Sequence, residues 1–295
     1  MFKNYAISTI TSKKIQTFHT KATIYLASYN VFLLTNIYIY DINNKNGTKT
    51  VFVIICICNT QYKYILQRKG KCMNILFVVA HPDDEVLGAG ATISKFVKEG
   101  HNVAVATMAN HAAARANISA SLNEDQANAM KIMGVKKCYA ADFPNIRMNT
   151  VPHLELVQFI EKCIEDFQAE SIFTHHPSDT NNDHVQTSYA AQAASRLFQR
   201  KEGLPRLKQF IYMEVPSSTE WSFDSSANRF SPNYFVEIGK EGVELKLKAL
   251  AAYKGVMRDY PHPRSIQAIE GLAAYRGVQA GCNYAEAFEA VFFRT

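Results

Sequence analysis

From Met73 onward the chain alternates short apolar runs with longer stretches in which apolar residues recur at helical spacing. Residues 74–80, NILFVVA, are apolar after the first position, which predicts a strand buried on both faces. The same reading predicts strands over 103–108, 137–141, 171–174, 209–214 and 234–237. Helices are predicted over 86–99 (closed by Gly100), 122–133 (closed by Gly134), 152–167, 184–199, 243–253 and 266–278. Strand–helix alternation of this kind predicts an α/β fold: a Rossmann-like, mostly parallel sheet with helices on both faces. In such sheets ligands bind beyond the carboxyl ends of the strands.

The first 72 residues read differently. They are rich in Ile, Tyr, Asn, Lys and Thr, without helical periodicity, and carry 10 Lys/Arg against one acid, Asp41. From Met73 the chain holds 22 basic and 25 acidic residues, so the formal +6 of the whole chain conceals a mildly acidic body. No nucleic-acid partner is indicated. Residues 22–40 form an uncharged run of 19 after Lys21, long enough for a membrane anchor, but Asn30, Asn36 and several tyrosines interrupt it. A signal peptide fits poorly, because the apolar region starts late and no small-residue cleavage site follows. The preferred reading is an N-terminal extension over 1–72, disordered or outside the native domain, followed by one domain over 73–295. Cys56, Cys58, Cys72, Cys138, Cys163 and Cys282 form no CxxC pair and no disulfide framework, which fits a reducing, cytoplasmic setting.

Two polar clusters stand where a site is expected. The first predicted strand runs into His81-Pro82-Asp83-Asp84-Glu85, and the fourth into His175-His176-Pro177 and on to Asn181, Asp183 and His184. An acidic helix start accounts for Asp83 to Glu85 but not for His81 beside them. Likewise, a polar turn with a capping Asp does not explain three histidines in ten residues. His81 and Asp84, three apart, are suitable zinc ligands, and the two clusters together offer three ligands with an open position. Gly88 and Gly90 give G-x-G without the third glycine at the spacing a dinucleotide site needs.

Residues 80–85, AHPDDE, taken with residues 176–184, HPSDTNNDH, resemble the LmbE-like, or PIG-L-type, N-deacetylases from about Met73 to the C-terminus. The resemblance implies a Zn2+ cofactor held by His81, Asp84 and His184, with Asp83 as general base and Asp183 orienting an imidazole. Several family members carry a His where this chain has Asn181. Asn can donate to an oxyanion but supplies no proton, so protonated Asp83, His175 or His176 is left as the leaving-group acid. Arg147, Asn110, Arg115, His176 and Arg264 are the candidate substrate contacts, with His111, Asp142, Asn145, His262 and Arg276 nearby in sequence. The implied activity is removal of an N-acetyl group from an N-acetylglucosamine-type sugar, free or linked to lipid or nucleotide, with release of acetate. Alternatives are a zinc amidase for another amide, such as a thiol-sugar conjugate, and a catalytically silent carbohydrate-binding protein. A homo-oligomer is compatible with the sequence.

Overall fold

The computed structural model describes residues 16–17, 34–43, 49–57, 72–109, 122–223 and 229–294. The chain divides into two compact units, Met1–Gly70 and Lys71–Thr295. In the first, β1 (Gln16–Thr17), β2 (Leu34–Asn43) and β3 (Lys49–Ile57) form an antiparallel sheet in that order. Of the uncharged run at 22–40, residues 34–40 belong to β2 and residues 22–33 lie outside the described residues. Among the described residues no helix is long and apolar enough to cross a membrane.

The second unit is an α/β sheet of seven strands. They are β4 (Asn74–Val79), β5 (Asn102–Thr107), β6 (Lys137–Ala140), β7 (Ser171–His175), β8 (Gln209–Met213), β9 (Tyr234–Glu237) and β10 (Ala285–Phe293). Their order is β6-β5-β4-β7-β8-β10-β9. β6, β5, β4, β7 and β8 run parallel, while β10 is antiparallel to both β8 and β9. Among the described residues six α-helices accompany them: α1 (Asp84–Lys98), α2 (Leu122–Met133), α3 (His153–Phe167), α4 (Asn182–Ala194), α5 (Gly239–Ala251) and α6 (Ile266–Ala280).

The apolar run of β4 is continuous because both faces are covered. Ile75, Phe77 and Val79 enter a core with Leu87 and Ile93 of α1, Met133 of α2 and Leu250 of α5. Leu76, Val78 and Ala80 enter a second core with Leu156 and Ile160 of α3 and Ala190 and Ala191 of α4. The chain leaves β4 for β5 on one side, whereas β7 pairs on the other. That reversal opens a crevice between the carboxyl ends of β4 and β7.

Several elements depart from the sequence expectations: α5 begins four residues early and α4 ends at Ala194, short of the expected 199. α1 and α4 begin two residues earlier than predicted, which draws Asp84, Glu85 and Asp183 into first helical turns. β10, AEAFEAVFF, was absent from the expected strands, since its Ala and Glu residues carry weak strand preference. Gly88, part of the G-x-G, has a packing explanation: a Cβ there would lie 2.8 Å from Met213 Sδ at the end of β8.

Candidate metal centre and active site

Three neighbouring strand ends supply the site. β4 leads into His81, Asp83 and α1; β7 leads through His175 and Asp179 to α4 with Asp183 and His184; β8 leads into a turn over 215–221. Asp84 Oδ2 is the meeting point. It lies 3.3 Å from His81 Nδ1, 3.3 Å from His184 Nε2 and 3.5 Å from His175 Nε2, and accepts the His81 backbone N–H at 2.9 Å. One ligand atom each from His81, Asp84 and His184 lies within 4.8 Å of the others, and among the described residues no other such group converges.

The other nitrogen of each imidazole is held by a carboxylate. His81 Nε2 is 3.0 Å from Asp183 Oδ2, and His184 Nδ1 is 3.2 Å from Asp179 Oδ2. Asp183 is buried and also accepts the backbone N–H of Ile146 (2.5 Å) and Met148 (3.0 Å), which ties the loop after β6 to His81. Each imidazole is thereby aimed with one nitrogen towards Asp84, the arrangement that supports metal-ligating histidines.

The imidazoles and carboxylates of the site stabilise one another's charges against burial. Burial would lower the pKa of His81, but hydrogen bonds to Asp183 and Asp84 raise it to about 9. Burial is likewise outweighed at His184, where Asp84 and Asp179 raise it to about 10. Burial works against the charge on Asp84 too, yet His184 and His81 hold its pKa well below the usual carboxylate range.

Asp83 precedes α1 in an unusual conformation, with φ 105° and ψ −30°, a region where non-glycine residues are strained. Its backbone N–H donates to Glu85 Oε2 at 3.2 Å, and its Oδ2 accepts from Arg264 Nη1 at 3.0 Å. Burial raises its pKa to about 6, although Arg264 pulls it down. Glu85 is buried against the hydroxyl of Tyr253, just beyond α5, and burial raises its pKa to about 8.

The remaining sequence candidates separate. Asn181 caps α4, its Oδ1 accepting the Asp183 N–H at 3.0 Å. His175 accepts the Ala80 N–H at Nε2 (2.8 Å) and stacks on His184; burial, reinforced by His184, lowers its pKa to about 3. His176 turns to the other side, 3.4 Å from Glu289 of β10 and edge-on to Tyr212. Arg147 is exposed, between the two residues whose N–H groups bind Asp183. Arg264 is committed to Asp83, with its backbone N–H on His262 Nδ1, and Arg276 makes a two-pronged pair with Glu214. Asp142 bridges to Ala109, whereas Asn110, His111 and Arg115 lie outside the described residues. Sequence reasoning missed Asp179, Glu85 and Tyr253. The first two stood inside the quoted motifs, as acids too many for the ligand set, while nothing marked Tyr253.

Residues 76–195 match the family model of PIG-L, GlcNAc-PI de-N-acetylase. Over 198 residues the chain is 27% identical to the uncharacterized deacetylase YaiS of Escherichia coli (strain K12), covering 64% of this chain and 95% of that protein. Among solved structures it resembles N,N'-diacetylchitobiose deacetylase from Pyrococcus horikoshii, at 21% identity and TM-score 0.59 over 77% of this chain and 87% of that one. It also resembles GalB, the 4-carboxy-2-hydroxymuconate hydratase of Pseudomonas putida KT2440, at 20% identity and TM-score 0.61 over 75% and 97%. At such identities the two structures speak for the fold, and a hydratase beside a deacetylase shows why the fold does not settle the reaction. The segment that matches the PIG-L, or LmbE-like, family model spans both polar clusters.

Proposed function

We propose that the protein is a zinc-dependent N-deacetylase that releases acetate from an N-acetylglucosamine-type amino sugar, free or conjugated. The observation that carries this reading is the convergence of His81, Asp84 and His184 beside Asp83 at the carboxyl ends of β4 and β7. Two imidazoles and one carboxylate are a zinc donor set, and the orienting carboxylates Asp183 and Asp179 fit it. Zinc held there would polarise the amide carbonyl and acidify the attacking water.

The chain's own groups divide the rest of the work. Asp83 is the base: Arg264 occupies its Oδ2, leaving Oδ1 to take the proton from the water. Burial of Asp83 raises its affinity for that proton, which it can then return to the departing amine. His175 suits that second role less well, as a neutral imidazole accepting the Ala80 N–H. His176, turned towards Glu289, is further removed still. Asn181 has its Oδ1 engaged in capping, so its amide Nδ2 is the end left to donate to an oxyanion. Arg147 is an exposed cation between Ile146 and Met148, whose N–H groups bind Asp183, and is suited to an anionic part of the substrate.

The test is acetate release by the full chain, supplied with zinc, from free, lipid-linked and nucleotide-linked N-acetyl amino sugars. At least one should be hydrolysed, with activity lost to a chelator and restored by zinc. Zinc-loaded protein that releases acetate from none of them would defeat the proposal.

A further inference from the structure

The turn after β8 touches both halves of the centre. Asp179, which holds His184 Nδ1, is itself held by this turn. Its Oδ2 accepts the Thr219 hydroxyl at 2.7 Å, and its Oδ1 accepts the Ser218 hydroxyl and the Asn181 N–H (2.8 Å). Two residues earlier, Ser217 Oγ accepts from Arg264 Nε at 2.7 Å, and Arg264 Nη1 reaches Asp83 Oδ2. The guanidinium is thus fixed at both ends, which sets the angle at which it meets the carboxylate.

The turn is built to stay in place. Val215, Ser218 and Thr219 are buried. Thr219 Oγ1 also accepts the Val215 N–H at 2.8 Å, and the backbone N–H groups of Ser218 and Thr219 both return to Val215 O. Ser217 sits at φ 75°, in the left-handed region that favours glycine, with its N–H and that of Ser218 received by the Glu220 carboxylate. A serine kept in that conformation, with its hydroxyl on Arg264, directs attention to the hydroxyl.

We propose that the turn over 215–220 is a shared brace for the centre: Ser218 and Thr219 orient His184 through Asp179, and Ser217 orients Asp83 through Arg264. These are positioning residues. The Asp83 arm rests on the deacetylase reading above, whereas the His184 arm rests on metal binding alone.

The two arms predict different losses. Thr219→Val in the full chain should weaken zinc affinity, measured by chelator competition, about 10- to 100-fold, the usual effect of losing support behind a ligand. Thr219→Ser, which keeps the hydroxyl, should restore it. Ser217→Gly suits the left-handed backbone conformation and removes the hydroxymethyl side chain that meets Arg264. It should leave zinc affinity and melting temperature at the wild-type level while lowering kcat about 10-fold, with KM within about two-fold. Zinc affinity within two-fold of wild type in Thr219→Val would overturn the proposal. So would a Ser217→Gly variant whose kcat is unchanged, or whose zinc affinity falls in step with its melting temperature. If the wild-type protein hydrolyses no acetamide, the deacetylase reading falls while the zinc measurements on Thr219→Val still decide the brace.

Discussion

Asp84 is a carboxylate that an apolar interior would not keep charged by itself. It remains ionised because His184 and His81 face it, and each imidazole leans on a further carboxylate, Asp179 or Asp183. Removing one ligand should therefore remove the ion and not merely weaken its grip. Wild-type protein purified without chelator is expected to carry near-stoichiometric zinc by elemental analysis and His184→Ala to lose it; unchanged zinc in the variant would reject the ligand assignment. Asp83 has a different part, as a neighbour of the ligands tied to Arg264 and not to an imidazole. Asp83→Asn should accordingly keep its zinc and lose about 10²–10⁴ in deacetylation rate, since an amide accepts no proton from water. Full activity in that variant would move the base elsewhere.

At the scale of the elements, α1 carries half of the site on a helix that is broken inside. Ala89 departs from helical geometry, with φ −149° and ψ 16°, and the break frees N–H groups in the following turn. Glu286 of β10 receives those of Ala91 (3.3 Å) and Thr92 (2.7 Å), and Lys246 of α5 neutralises it at 2.7 Å. Both side chains are buried, at 7% and 4% exposure, so solvent does little to compensate either charge. Lys246→Met would leave the Glu286 carboxylate buried beside helix N–H groups without its cation. Loss of one partner from a buried pair typically costs about 3–5 kcal/mol. Urea unfolding should show a loss of that size, whereas a change below about 1 kcal/mol would mean that Glu286 protonates or rearranges at little cost.

Over the whole molecule, the sheet places three strand ends side by side: β4 presents His81 and Asp84, β7 presents Asp179, Asp183 and His184, and β8 presents the turn over 215–221. Every described site residue lies in the unit Lys71–Thr295. We propose that this unit is self-sufficient. A chain beginning at Met73 should fold, bind zinc and keep the acetate-releasing activity of the full chain, with an equal melting temperature. A melting temperature lower by several degrees would show instead that residues 1–72 cover apolar surface of the second unit.

Much of this was legible in the order of residues. Periodicity alone determined the strand–helix alternation, because a strand covered on both faces must be apolar throughout and a surface helix must be apolar on one stripe. The two clusters AHPDDE and HPSDTNNDH marked the candidate site, and the fold brings His81, Asp84 and His184 from them together. Local pattern could not show what depends on contacts across the chain. β10 was hidden because its buried Glu286 is tolerable only where Lys246 and the broken α1 happen to meet it. Arg264 read as a substrate contact, yet it lies 181 positions from Asp83 and is bound to it in space. Asp183 read as the acid that orients an imidazole and Asp179 carried no role, whereas the fold sets Asp183 on His81 and Asp179 on His184. The sequence by itself determined which chemical groups gather at the strand ends, because residue type and spacing are local properties. Only the tertiary structure decided which group orients which, because pairings such as His81 with Asp183 and Asp83 with Arg264 join segments far apart in the chain.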